Sequence, residues 1–405
     1  MTFNASNVTN RRVAIVAAGI ISPLGIGLAE NLTSLQTARD SVRAVTDFDI
    51  EHCRCKTAGQ VAKGASKPPH NGSRSDRLHP ASRMMTGAIR EAREQDPAFV
   101  PELTVIGTTS GGMSFGEQYY RALYDHAKLR RAPRWIANYA PQKPVTDALE
   151  ALKLGGPCQV IANACASGTN AIGHAFHCIE SGKYQRVLTG GYDALSELVF
   201  VGFDCLQAAT PEKCRPFDRE RSGMVLGEGA AILALEDWGS AERRGASILG
   251  EIKGYGISTD NHHLTQPNPS GIGPRMAMEQ ALHSADLEPS EIDYINAHGT
   301  ATRFNDAAEA KAIQELFPSR VPVSSTKSMM GHSLGAAGAI EAVFCLLALQ
   351  HQFLPPNINF RSSDSDMNLD IVANEARPAR IRTVISNSFG FGGTNASIVL
   401  RSCAS

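Results

Sequence analysis

Short, strongly apolar runs alternate along this chain with stretches in which small residues are spaced among larger apolar ones. The runs at 13–16, 104–107, 159–162, 186–189, 230–235, 247–252, 293–297, 321–324, 383–386 and 396–400 read as buried strands. The small-residue stretches between them read as helices. Strands alternating with helices predict a layered α/β fold. The first run follows Arg11-Arg12 and resembles a signal sequence, but Gly19, Ser22-Pro23, Gly25 and Gly27 break it and no small-residue cleavage site follows. A buried strand ending in a glycine-rich turn is the better reading. No segment approaches the ~20 continuous apolar residues of a membrane span.

Three weak internal matches appear in the same order in each half of the chain. Ala18-Gly-Ile-Ile-Ser22 resembles Gly254-Tyr-Gly-Ile-Ser258. Cys165-Ala-Ser-Gly168 and the stretch after it resemble His332-Ser-Leu-Gly335 and its successor. The strand-like Gly227 to Leu235 resembles Gly392 to Leu400. Their collinearity predicts a duplicated α/β unit, with residues 1–245 forming one half and 246–405 the other. The charged segment 238–246 makes the join.

The 405 residues suffice for two such halves. Lys plus Arg (39) nearly cancels Asp plus Glu (40), so the balance gives no general case for nucleic acid. Nine scattered cysteines suggest a reducing compartment, and the cytoplasm is the expectation. Cys53-x-Cys55 has no second ligand pair nearby, so no zinc site is expected. Cys158, Cys178, Cys205 and Cys345 read as buried structural residues.

Four segments carry candidate chemistry. In 160–173 an apolar strand runs into Cys165 and a small-residue helix begins at once. A thiol there meets the positive end of a helix, which favours thiolate, and free N–H groups that can hold an oxyanion. In 293–302 a strand ends on His298, and Gly299 turns the chain at the carboxyl edge of the sheet, where open α/β sheets place ligands. Thr300 and Thr302 follow with two hydroxyls. In 324–338 His332 opens a Gly/Ala helix, and a helix start keeps an imidazole neutral. Lys327 stands before it, with Asp306 or Glu309 as candidate partners. For both histidines a merely structural role stays open at this point. Finally, Phe389-Gly-Phe391-Gly392-Gly393 forms a glycine-rich turn before a strand. With no Lys and no helix after it, it is not a phosphate loop. It is either a plain turn or a substrate loop.

Together "NACASGTNAIGHA", "NAHGTATRFND", "KSMMGHSLGAAGAIEA" and "NSFGFGGTNA" resemble the elongating β-ketoacyl-acyl carrier protein (ACP) synthases of types I and II. "RRVAIVAAGIISPLGIG", "GTTSGG" and "RPFDRERSGMVLGEGAAILALE" fit as well, and the similarity runs from about residue 11 to 401. The resemblance implies a thiolase-like fold, five layers α-β-α-β-α from a duplicated unit, and a homodimer. It implies an acyltransferase in which Cys165 takes the acyl chain, with the N–H groups of Cys165 and Phe391 as the oxyanion hole. Malonyl-ACP then decarboxylates while His298 and His332 donate to the enolate oxygen. Lys327 balances charge with Glu309 as its partner, Thr300 and Thr302 bind the phosphopantetheine arm, and Phe391 gates the acyl pocket beside Phe389 and Gly392. No metal or redox cofactor is implied, since the ACP substrate carries the phosphopantetheine.

ACPs are acidic, so a basic patch is expected, and Arg121, Lys128, Arg130, Arg131 and Arg134 crowd one segment; a solvated helix face is the alternative. "GTATRFN" and 260–271 depart from the common pattern and put acyl specificity in question. They keep a second reading open, the ketosynthase of a type II polyketide or polyene pathway paired with a chain-length-factor homologue. A non-catalytic chain-length partner would lack the cysteine, which Cys165 argues against.

Overall fold

The computed structural model describes residues 11–62, 78–125, 132–317 and 319–403. Ten principal strands form: β1 (Val13–Ser22), β2 (Leu103–Gly107), β3 (Cys158–Ile161), β4 (Arg186–Asp193) and β5 (Gly229–Asp237), then β6 (Gly250–Thr259), β7 (Tyr294–Asn296), β8 (Pro322–Ser324), β9 (Thr383–Gly390) and β10 (Thr394–Arg401). All ten predicted runs overlap these strands. The sixth is displaced toward its C-terminal end, because 254–259 pair along their length with β10.

The strand order is β8-β7-β9-β10-β6-β1-β5-β4-β2-β3. It reads the same from either end once the halves are superposed in sequence order, with β1 matching β6 and β5 matching β10. In each half the outer three strands are parallel and the rest antiparallel. The halves join along β1 and β6, where Val13 faces Ile252 and Ile15 faces Gly250.

Every residue of β1 is buried, so alternation cannot be read from polarity. It can be read from packing. Val13, Ile15, Ala18 and Ile20 belong to the central core, while Ala14, Val16, Ala17 and Ile21 face an outer one. The phase changes at Val16–Ala17, where an irregularity between Ile15 and Ala17 shifts the register against β5.

Helices α1 (Pro80–Gln95) and α2 (Lys143–Ala151) cover the outer face of the first half, and α4 (Ile272–Ala285) and α5 (Arg303–Leu316) cover that of the second. Between the two five-stranded halves of the sheet lie α3 (Ser167–Glu180) and α6 (Ala337–His351). The result is five layers, α-β-α-β-α, as the resemblance implied. Helix α6 is buried from Ala337 to Leu349, on all sides. It belongs to Leu334–His351, a stretch long and apolar enough to cross a membrane but 89% buried within the protein.

Glycine lets the two middle helices start in contact. A Cβ on Gly168 would lie 2.8 Å from the Gly335 carbonyl oxygen, and one on Gly338 would meet the Thr169 hydroxyl at 2.0 Å. The Cys165 turn and the His332 turn, matched by the internal repeat, therefore meet at the centre of the molecule.

Candidate active site

Cys165 lies just before α3, whose N-cap is Ala166. Ala164 before it is held in the left-handed region at φ 56°, a strained conformation for a residue with a Cβ. The strain is held by hydrogen bonds: the Ser167 and Thr109 hydroxyls donate to the Ala164 carbonyl at 2.6 and 3.1 Å, and the Asn163 N–H donates to Ser167 Oγ at 2.9 Å. This sharp turn presents the thiol to a cavity of about 430 Å³ that His298, His332, Phe389 and Phe391 also line. Cys165 is the cysteine that reaches it. Cys178 and Cys345 are buried elsewhere and Cys158 is half-buried, but Cys205, expected in the core, is exposed at the end of its helix.

The thiol's environment differs from the sequence expectation. The backbone N–H groups of Phe391 and Cys165 both point at the sulfur and favour its anion, as does Lys327. Burial outweighs them and pushes the thiol up to about 12, with Asp193 adding to the rise. At rest Cys165 is therefore a protonated thiol.

His298 and His332 are buried, their rings edge to face with centroids 5.2 Å apart. Burial holds both well below the usual histidine range, and Lys327 pushes both further down. Both are neutral, and for His332 the main cause is burial rather than the helix start the sequence offered. His332 does not open a helix directly, since a single turn, Leu334–Ala336, separates it from α6. Its backbone is instead clamped to the short segment Val225–Gly227. The His332 N–H donates to the Val225 carbonyl at 2.7 Å, and the Gly227 N–H donates to the His332 carbonyl at 2.8 Å. Gly331, at φ 77°, has its would-be Cβ 2.6 Å from the Leu226 oxygen, so only glycine fits. That clamp is made by Val225–Gly227 of the "RSGMVLGEGA" stretch.

The pairing expected for Lys327 is wrong. Its ammonium, fully buried, meets Glu341 Oε1 at 2.5 Å, from the first half of α6. Glu309 holds the His298 turn: its two oxygens accept the N–H groups of His298 and Gly299, each at 2.8 Å, and Asn387 adds a third donor at 3.2 Å. Burial lifts this carboxyl to about 7 against those three bonds. Sequence reasoning missed Glu341 entirely, although a lone carboxylate in the apolar run Ala339-Ile-Glu-Ala-Val-Phe344 was a signal that a buried cation must meet it.

Asp193 was missed too. Buried at the end of β4, it accepts the Thr108 and Ser110 hydroxyls, the Thr109 and Ser110 N–H groups and the Gly335 N–H, at 2.7–2.9 Å. It ties the turn after His332 to the loop after β2.

Thr300 and Thr302 line the cavity with their hydroxyls 3.0 Å apart, on either side of Ala301 at φ 65°. The glycine-rich turn joins β9 to β10. Phe389 lies 5.6 Å from the His298 ring, and Phe391 stacks on Phe203 at 5.4 Å. Gly392, at φ 85°, has open space where a Cβ would be. Its N–H donates to the Leu264 carbonyl at 2.7 Å, so the turn is tied to the 260–268 segment. Lys128, Arg130 and Arg131 lie outside the described residues, and Arg121 is already paired with Glu197.

A buried thiol under two N–H groups, facing two neutral imidazoles in one cavity, is a site for acyl transfer through a thioester with an oxyanion to be held. Two family models match the chain, "Beta-ketoacyl synthase, N-terminal domain" over residues 10–240 and "Beta-ketoacyl synthase, C-terminal domain" over 249–361. The chain belongs to the β-ketoacyl synthase family and is an acyltransferase. It is 35% identical to the 3-oxoacyl-[acyl-carrier-protein] synthase 2 of Staphylococcus aureus, covering 97% of this chain and 98% of that one. To the putative polyketide beta-ketoacyl synthase 1 of Streptomyces cyaneus it is 34% identical, covering 96% and 98%. Among solved structures, the ishigamide ketosynthase/chain length factor superposes with a TM-score of 0.91 at 34% identity, covering 98% of this chain and all of the other.

Proposed function

We propose that the chain condenses an acyl group held on Cys165 with malonyl-ACP, releasing carbon dioxide, in fatty acid elongation. The observation that carries this is the meeting of Cys165, His298 and His332 on one cavity beside the N–H of Phe391.

In the first half-reaction the Cys165 sulfur attacks the carbonyl of an acyl-ACP thioester. The oxyanion is held by the N–H groups of Cys165 and Phe391, and the thiol proton leaves with the departing pantetheine thiol. In the second, malonyl-ACP loses its carboxyl group as carbon dioxide, and the bonding electrons become an enolate. Neutral His298 and His332 donate to its oxygen. A cationic imidazole would hold the malonyl carboxylate back, so burial beside Lys327 suits this step. The enolate carbon then attacks the acyl-cysteine and Cys165 leaves as thiolate, which takes a proton from solvent to return to the resting thiol, giving a 3-oxoacyl chain two carbons longer on the ACP.

Glu309 positions His298, Lys327 and Glu341 set the charge behind the imidazoles, and Thr300 and Thr302 hydrogen-bond the pantetheine arm. Phe391 swings away from the pocket as the chain loads. The scheme needs no metal or redox cofactor. The working assembly is a homodimer in the cytoplasm, without nucleic acid and without membrane insertion.

Identity to the polyketide synthase and to the ketosynthase/chain length factor, 34% each, is close to the 35% to the 3-oxoacyl-[acyl-carrier-protein] synthase 2, and it supports a second reading. In that reading the chain is the ketosynthase of a type II polyketide pathway, working as a heterodimer with a chain-length-factor homologue. Intact mass after exposure to a panel of acyl-ACPs tests both. Loading of saturated chains by the protein alone supports elongation; loading only in the presence of a co-expressed chain-length-factor homologue supports the second reading. No loading under either condition overturns both.

A further inference from the structure

Cys53-x-Cys55 has no second ligand pair nearby in sequence, but the fold brings a third thiol to it. Asp204 accepts the Arg54 N–H at 2.9 Å and the Cys55 N–H at 3.1 Å on its two oxygens, and the Arg54 guanidinium donates back to the Asp204 carbonyl at 3.1 Å. Cys53 precedes Arg54 and Cys205 follows Asp204, so the two thiols flank one joint. Cys53 lies close enough to Asp204 and Cys205 for their charges to act on its thiol. The Cys55 thiol is buried and bonded to Asp204, and burial pushes it up to about 12, which takes it out of ready exchange. Among the described residues no group of three His, Cys, Asp or Glu side chains is arranged to hold a metal ion. The chemistry open to Cys53 and Cys205 is that of a thiol pair.

The joint stands at the end of the helix Glu197–Cys205. The start of that helix is anchored, since the Leu198 N–H donates to Glu117 at 2.8 Å and Arg121 pairs with Glu197. Its last turn is open. A Cβ on Gly202 would meet nothing within 4 Å, and Cys205 and Leu206 are exposed. Phe203, in that turn, packs with Cys53 on the apolar cluster around Phe200 and Leu334. It also stacks on Phe391 with ring centroids 5.4 Å apart, and both rings line the catalytic cavity. We propose that Cys53 and Cys205 are a redox-sensitive pair whose disulfide ties the last turn of this helix to the 50–55 segment, holds Phe203 against Phe391 and slows acyl loading. The proposal rests on the reading of Phe391 as a ring that moves when the chain loads.

Cys205, exposed at the helix end, reacts first. Its thiolate attacks one sulfur of a small disulfide such as oxidised glutathione and displaces a glutathione thiolate, leaving a mixed disulfide on Cys205. Cys53 then gives its proton to solvent and attacks the Cys205 sulfur, and the second glutathione leaves as thiolate. The two protein thiols lose two electrons and two protons, and one small disulfide becomes two thiols. Burial and Asp204 hold the Cys53 thiol above its usual range, so it serves as the second, intramolecular partner, where proximity compensates for a scarce thiolate. A disulfide needs Cα atoms within about 7 Å, and the open last turn supplies the adjustment. In a reducing compartment the pair rests as thiols and the Phe203–Phe391 stack is free to part.

The test treats the reduced full chain with oxidised glutathione, maps disulfides by peptide mass spectrometry and follows loading from acyl-ACP by intact mass. A cross-link joining the Cys53 and Cys205 peptides is expected, with loading slowed roughly tenfold and restored by dithiothreitol. Cys205→Ser and Cys53→Ser, at positions that do not line the cavity, should load at the unmodified rate before and after the oxidant. Cys53→Ser should stop at a single glutathione adduct on Cys205. Absence of the Cys53–Cys205 cross-link, or a cross-link that leaves loading unchanged, would overturn the proposal. Equal inhibition of Cys205→Ser would overturn it as well, by placing the sensitive thiol elsewhere, Cys165 first. Failure of the reduced protein to load any acyl chain would overturn the reading of the catalytic site instead, and the cross-link map would still decide whether the pair forms.

Discussion

Glu309 takes the N–H groups of His298 and Gly299 onto its two oxygens, one each, from eleven and ten residues away along the chain. Asp193 gathers five donors from two distant segments, 108–110 and Gly335. Both are buried carboxylates and each stands behind one histidine, yet they hold it differently. Glu309 grips the His298 backbone directly and belongs to the same local unit, a strand, a turn and the helix after it. Asp193 never touches His332. It fixes the turn two residues further on, against a loop from the other half of the molecule. The contrast teaches that a catalytic side chain can be placed by a local device or by a tertiary one, and that a defect in each should show differently. A local cradle fails in catalysis, whereas a tertiary tie fails first in stability.

The largest effects fall on the held residues themselves. His298→Ala and His332→Ala should each lower malonyl-ACP decarboxylation about a hundredfold, the scale of losing a donor to a developing oxyanion. Acyl loading, followed by intact mass, should survive better. Equal loss of both half-reactions would abolish the division of labour.

Next come the two carboxylates. Glu309→Gln should reduce decarboxylation roughly tenfold and destabilise by only about 1–3 kcal/mol, since the amide keeps an oxygen for one N–H but turns a donor toward the other. Asp193→Asn should instead destabilise by roughly 2–5 kcal/mol in denaturant titration, because more than one buried donor loses its acceptor. If Asp193→Asn proved neutral for stability and costly for decarboxylation alone, the contrast would collapse.

A smaller effect lies in pH. Burial lifts Glu309 to about 7 from an ordinary 4.5, so its folded-state value is the higher one. Its contribution to stability is full below about 4.5 and is lost as pH rises through about 7. Ionisation makes it the stronger acceptor for the His298 turn, so decarboxylation should rise over the same interval. Glu309→Gln should flatten both slopes, by thermal melts and by rate; persistence of both would place their cause elsewhere. The smallest effect is expected for Phe391→Ala, which keeps the backbone donor. Loading should change only about twofold while discrimination among chain lengths falls. Identical 389–393 backbones and Phe391 rotamers in free and acylated structures would exclude a moving gate.

Most strands were legible because they are apolar runs buried on both faces, although β3 is only half-buried, and the paired halves were legible in three short matches. Cys165, His298 and His332 stood out because strand-to-helix and strand-to-turn junctions expose side chains at a sheet edge. What stayed hidden depends on approach between distant segments. Nothing local marks Asp193 at the end of β4 as an acceptor for Gly335. Lys327 had acidic candidates in Asp306 and Glu309, and its true partner lay fourteen residues on, inside an apolar helix. The thiol's burial was hidden for the same reason, since the helix start is visible in sequence and the burial that raises the thiol is not.

The central claim is that Cys165 carries the acyl chain between two half-reactions, and peptide-level mass spectrometry through one turnover tests it most directly. Incubation with acyl-ACP should add one acyl mass to the peptide containing Cys165. Malonyl-ACP should then remove it, with one equivalent of carbon dioxide and a 3-oxoacyl chain two carbons longer on the ACP. Acyl mass on another cysteine, or loss of the Cys165 adduct as free acid with no lengthened product, would contradict the account.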